Sequence, residues 1–160
     1  MIETIVKNKY DDSLKESIDG MVQSVKDVIP IQVEVNEPTL TEKPYYLREI
    51  GVLIGITGDL NGQVLIEGET STFGLIAQGM FGSIIEGEML ESFIAELGNM
   101  ISGNMATSIS LRDIRLDISP PAVISGNSKF TAFNHAVKIP INVTSDETIN
   151  IIMMMKREAS

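Results

Sequence analysis

The order of elements in this chain occurs twice, and that repetition limits the folds open to it more than any other feature. A helix, an alternating strand, an irregular link, a long strand, an acidic turn and a returning strand run from 11 to 67, and the same order runs again from 88 to 155. The paired long strands align as GVLIGITGDLNGQVLIEG from Gly51 beside AVKIPINVTSDETINIIMM from Ala136. The helices align at an offset of 80 residues, with Lys15-Glu16-Ser17-Ile18-Asp19-Gly20-Met21 beside Ala95-Glu96-Leu97-Gly98-Asn99-Met100-Ile101. Two copies at so long a period do not make a solenoid. They predict a pseudo-twofold α+β fold in one domain spanning 1–160, with two long helices on one face of a mostly antiparallel sheet. Two ordinary α-β-β-β units would leave the same pattern by coincidence.

The individual elements follow from local signals. Residues 11–28 read as a helix, capped by Asp11, Asp12 or Ser13 and striped by Leu14, Ile18, Met21, Val22 and Val25; Pro30 ends it. Residues 31–35 alternate as a strand with one wet face, and 36–43 read as a loop or irregular edge. The strand over 48–57 turns through Gly58-Asp59-Leu60-Asn61-Gly62 into a return over 63–67. A shorter helix is predicted over 69–83 and the long one over 88–108. Then come an alternating strand over 113–118, an extended piece over 122–125, a turn at 126–128, and strands over 136–143 and 149–155. Pro140 cannot donate to a ladder and predicts an edge or a bulge. The tail after 155 reads as frayed.

The long helix is the candidate site. At about 100° per residue, Leu90, Phe93, Ile94, Leu97, Met100 and Ile101 fall on one side, wide enough to lie on a sheet. Ser92, Glu96, Asn99 and Gly103 fall opposite, so a carboxylate and a carboxamide stand one turn apart on the water side. Such a pair is either two solvated polar residues or a grip on a ligand. Gly98 and Gly103 each cost the helix about 1 kcal/mol relative to alanine. Either the helix kinks there, or Gly103 and the small Ser92 let a partner come close. Asn104 points among the apolar residues and should be buried and hydrogen-bonded. On the first helix the matching pair is Glu16 and Asp19. A second carboxylate repels an anionic group that a neutral amide can serve, so one working face is expected, on the second helix.

Composition removes several chemistries. The chain has no Cys and one His, His135, which excludes thiol chemistry and argues against a histidine metal site or a Ser-His-Asp triad. A net charge of −10 argues against nucleic acid and anionic membranes. No apolar run is long enough for a bilayer, and MIETIVKNKYDD has no signal-peptide pattern, so a cytoplasmic setting is expected.

At these residues the chain resembles the CheC/CheX/FliY family of bacterial chemotaxis phosphatases, most nearly its CheX branch. The likeness rests on Glu96-Leu97-Gly98-Asn99 within AELGNMISGN, on the Gly58–Gly62 hairpin and on the duplicated layout. CheC-type members carry Glu-x-x-Asn on both helices; Glu16-x-x-Asp19 departs from that and fits the CheX arrangement. The resemblance implies hydrolysis of the aspartyl phosphate of a phosphorylated CheY-like response regulator. Asn99 would position the attacking water and Glu96 would pair with a lysine of the receiver. It implies no cofactor of the chain's own, since Mg²⁺ is carried by the receiver, and a homodimer joined at sheet edges, with the segments near Pro140 and after Pro121 as candidates. The alternative is a module that binds a phosphorylated receiver or a flagellar-switch component without hydrolysing it.

Overall fold

The computed structural model describes residues 9–133 and 135–156. The N-terminal stretch read for a signal peptide lies mostly outside them, and so does most of the tail. Among the described residues, three helices, α1 (Lys9–Val28), α2 (Thr70–Phe81) and α3 (Gly87–Ser110), accompany ten strands. These are β1 (Glu34–Val35), β2 (Thr39–Glu42), β3 (Tyr45–Tyr46), β4 (Ile50–Gly58), β5 (Asn61–Gly68), β6 (Leu116–Ile118), β7 (Ala122–Ser125), β8 (Lys129–Phe130), β9 (His135–Asn142) and β10 (Thr148–Lys156).

The main sheet runs β1-β9-β10-β5-β4-β6, with β2 also on β9 and β7 also on β4; every pairing is antiparallel. The order is the same read from either end. β1 answers β6, β2 answers β7, β9 answers β4 and β10 answers β5, while β3 and β8 pair with each other in a separate two-stranded ribbon. The fold is therefore α+β with a pseudo-twofold axis. In the sheet that axis passes at Ile66 and Ile151, which face each other across β5 and β10. Their separation equals that of Gly51 and Ala136 in the sequence alignment.

Alternation along the strands separates two cores. Val52, Ile54, Ile56, Val64 and Ile66 join Ile139, Ile141, Ile151 and Met153 under the helices. Leu65, Ile152 and Met154 face the other way, packing with Leu47, Phe133 and Ala136. Both long helices contribute to the first core, α1 through Ile18, Met21 and Val25, and α3 through Leu90, Ile94, Leu97, Ile101, Met105 and Ile109. They lie on the same face, as the repeat predicts. They run antiparallel: Ser24 of α1 meets Ile101 and Asn104, Gly20 meets Met105 and Ile109, and Glu16 pairs with Arg112 just past the end of α3.

A buried carboxylate organises the opposite face. Glu67, 1% exposed, accepts from the backbone N–H of Arg48 at 2.7 Å, from Tyr45 Oη at 2.8 Å and from Asn150 Nδ2 at 2.9 Å. Burial and the Glu67 carboxylate push the Tyr45 hydroxyl well above the ordinary tyrosine range. Its proton therefore stays in the bond to Glu67.

Two local readings are corrected. The segment 36–43 contains a true strand, β2, and the strand expected over 31–35 is ordered as one only at its end, Glu34–Val35. Pro140 lies in β9, where it faces Asn150 of β10 and stands at a bulge, one of the two places its missing donor allows: between the pairs Val35–Ile141 and Thr39–Lys138, residues 36–38 oppose only 139–140. On its other side β9 is covered by two short strands, and Pro140 falls between them, with Glu34–Val35 paired beyond it and Thr39 paired before it. Its carbonyl accepts from Asn36 N–H at 2.9 Å, so the N–H that proline lacks would have pointed into a break in the ladder. Pro140 is therefore not an open-edge candidate, whereas β7, which follows Pro121, lies at the β4 end of the sheet.

Candidate functional site

α3 carries the site because it is both long and tightly seated. Its 24 residues bury Leu90, Phe93, Ile94, Leu97, Ile101, Met105 and Ile109, each worth about 1.5–3 kcal/mol when fully removed from water. Gly98 is buried as well: a Cβ there would stand 2.5 Å from Val52 Cγ1 and 3.3 Å from Ile54 Cδ1. The glycine is thus no kink but a close approach, letting the helix backbone settle onto β4. Its neighbour Asn99 is held at a distance from the sheet that any side chain at 98 would increase.

The water-side residues stand where the helical phase puts them. Ser92 and Glu96 are exposed, and Asn99 and Gly103 are half-buried. No side-chain bond to Glu96 or Asn99 is made by the other described residues, so carboxylate and carboxamide project from the ridge with their hydrogen-bonding capacity free. Among the described residues a Cβ on Gly103 would meet only Ile118 Cδ1, at 3.7 Å, so none of their packing requires the glycine. Asn104 is half-buried rather than buried, and it is hydrogen-bonded: its Nδ2 donates to Ser24 Oγ at 3.2 Å, and Ser24 Oγ donates to the carbonyl of Ile101 at 2.6 Å. On α1, Asp19 is exposed, while Glu16 is engaged by Arg112. The two faces that look alike in sequence therefore differ: one is open and the other is partly neutralised.

Met100 corrects the sequence reading. It is 39% exposed and not part of the buried stripe. It borders an apolar groove of about 630 Å³ between α3 and the segment leaving α2, together with Phe81, Ile84, Met89, Phe93 and Glu96. Phe81 packs edge-on against Phe93 with ring centres 5.7 Å apart. Periodicity does not show this groove, because Ile84 and Ile85 lie between the two helices and Phe81 is the last residue of α2. An apolar MFGSII run from the end of α2 into the link before α3, with nothing in sequence to bury it, is the signal available.

Among the described residues no group of three or more Asp, Glu or His is placed to hold a metal ion, and no helix is long and apolar enough to cross a membrane.

Comparison with known proteins converges on one group. The family model described as chemotaxis phosphatase CheX matches residues 50–142. The CheY-P phosphatase CheX of Thermotoga maritima is 28% identical over 143 residues, spanning 87% of this chain and 92% of that protein. A chain of the CheX-CheY-BeF3-Mg²⁺ complex from Borrelia burgdorferi superposes with a TM-score of 0.73 at 20% identity, over 90% of this chain and 97% of that one. A CheC-like superfamily protein from Shewanella sp. PV-4 gives a TM-score of 0.73 at 20% identity, over 94% and 100%.

Proposed function

The chain belongs to the chemotaxis phosphatase CheX family, and from that premise we propose that it dephosphorylates a CheY-like response-regulator receiver in the cytoplasm. The observation that carries the reading is the open ridge of α3. There Glu96 and Asn99 stand one turn apart, unengaged by the described residues, on a helix locked to the sheet at Gly98.

An aspartyl phosphate is an activated acyl phosphate. Its hydrolysis needs a water placed in line with the P–O bond and charge stabilised on the phosphoryl oxygens. The receiver brings Mg²⁺ for the second task. In the proposed mechanism Asn99 supplies the first: its Oδ1 accepts a hydrogen bond from the water and fixes its direction, while Nδ2 donates nearby. Water attacks phosphorus, the bond to the aspartyl oxygen breaks, and the products are inorganic phosphate and the receiver's free carboxylate. Glu96 forms an ion pair with a lysine of the receiver and so sets the position of Asn99 within its active site. Ser92 and Gly103, small residues a turn to either side, let the receiver's backbone come down on the ridge. Residues 1–160 act as a single domain whose halves, 11–67 and 88–155, derive from one duplicated unit. Two copies associate through an outer sheet edge, that of β1 and β2 or that of β6 and β7.

Phosphate release from a phosphorylated CheY-type receiver, measured with wild type and with Asn99→Ala, tests this reading. Wild type accelerates release and the variant does not. Near-wild-type turnover by Asn99→Ala sinks the mechanism. Binding without acceleration by wild type identifies a non-catalytic receiver-binding module instead.

A further inference from the structure

Glu96 belongs to two features at once, the ridge with Asn99 and the wall of the groove between α2 and α3. We propose that this groove seats the receiver, taking an apolar side chain that stands beside the receiver's lysine; the proposal rests on the reading of Glu96 given above.

Ile84 is 74% exposed, Met89 70% and Phe81 59%, which makes them three of the most exposed large apolar residues described, and all three line this one groove. Scattered surface apolar residues are ordinary, but a contiguous concave set is a mark of a binding surface. Met80, Met89 and Met100 give the groove unbranched, adaptable walls, suited to an inserted side chain rather than to a flat contact.

Charge then selects the occupant. Glu96 is the one charged residue among the described residues of the lining, and the chain carries a net charge of −10. A body entering the groove gains apolar burial over Ile84 and Met89 and finds a carboxylate at its rim. The complementary surface is an apolar protrusion next to a cation. A receiver that offers its lysine to Glu96 necessarily stands over the groove, so whatever flanks that lysine is buried there.

Symmetry supplies a third argument. Every strand and both long helices have counterparts in the other half; α2 alone among the described elements has none. The groove therefore exists beside α3, while the matching carboxylate on α1, Glu16, is taken by Arg112. One seat next to one open ridge is the arrangement a single docking site requires.

The test uses the full chain and CheY-type receivers loaded with Mg²⁺ and beryllofluoride, which stands in for the aspartyl phosphate. Ile84→Ala combined with Met89→Ala is expected to raise Kd tenfold or more and to raise KM for the phosphorylated receiver in parallel. Ile84→Ala alone, in the segment between the helices, repeats the measurement if the double variant unfolds early. Unchanged Kd and KM overturn the groove as a seat, while loss of turnover in Asn99→Ala under the same conditions keeps the ridge mechanism standing. A wild-type chain that neither binds nor dephosphorylates any receiver removes the functional reading itself, and the groove proposal with it. A shift in the free chain's oligomeric state on sedimentation, with receiver affinity intact, makes the groove a contact between copies and likewise overturns the proposal.

Discussion

Asn104 donates a 3.2 Å hydrogen bond to Ser24, 80 residues earlier in the chain. Eighty residues is also the offset at which the two long helices align, so each partner is the other's repeat counterpart. The pseudo-twofold axis of the fold thus passes between these side chains in the helix layer and between Ile66 and Ile151 in the sheet. At such a point two identical residues would face each other as like groups. A hydroxyl and an amide instead form a directed bond, and Ser24 spends its own proton on the Ile101 carbonyl at 2.6 Å.

Ser24→Ala should therefore cost about 1–2 kcal/mol, since it removes two bonds and strands part of the Asn104 amide at the helix crossing. Urea denaturation measures it, and a loss within error of zero would show that the crossing is held by apolar packing alone.

Gly98 and Gly103, both in the interior of α3, should respond in opposite directions. Gly98→Ala gains helix propensity of about 1 kcal/mol but drives a Cβ against Val52 in a filled core, at a cost of about 1–3 kcal/mol. It should lower the melting temperature and, by lifting Asn99, the turnover. Gly103→Ala meets nothing nearer than 3.7 Å and should stabilise the chain by up to about 1 kcal/mol. If Gly103 lies under the docked receiver, the same variant binds it less tightly; a stabilised protein with undiminished affinity would remove Gly103 from the interface.

On the ridge, Asn99→Ala should leave stability nearly unchanged and reduce dephosphorylation by about 10²-fold or more, the scale for losing one positioning group. Glu96→Ala should weaken receiver binding and rate together, and added salt should weaken wild type more than it weakens this variant, because the pair is ionic. Asp19→Ala, at the matching position of α1, should do little. Equal losses from Asp19→Ala and Asn99→Ala would mean that both helices work.

Stability should fall at both ends of the pH scale for identifiable reasons. Hydrogen bonds at Thr70 hold the Glu49 carboxyl below the usual range; one comes from the backbone N–H at 2.6 Å. Its contribution is present above the unfolded glutamate value of about 4.3 and is lost as pH drops through the folded one. Tyr45 behaves conversely, because burial and Glu67 keep it protonated when folded. Its contribution is whole below the unfolded tyrosine value of about 10 and declines as pH rises beyond it. Urea midpoints across pH should lose their alkaline decline in Tyr45→Phe and part of their acid decline in Glu49→Gln; unchanged profiles would assign the titration elsewhere.

The duplication, the two long helices and the outward placement of Ser92, Glu96 and Asn99 were legible in the sequence. All three depend on local periodicity, which a chain carries wherever its elements end up: a helix repeats at 3.6 residues and a strand at 2. The same periodicity misplaced Met100 and left Pro140 open between an edge and a bulge. Burial depends on what another segment brings. Met100 stays partly open because α2 leaves a groove beside it, and Pro140 sits inside the sheet because β1 and β2 part around it. Nor does spacing say that Glu16 pairs with Arg112 while Glu96 makes no ion pair among the described residues, since the two members of that pair lie 96 residues apart. Local periodicity determined the faces; only the tertiary contacts, which join residues distant in the chain, decided which face stays open.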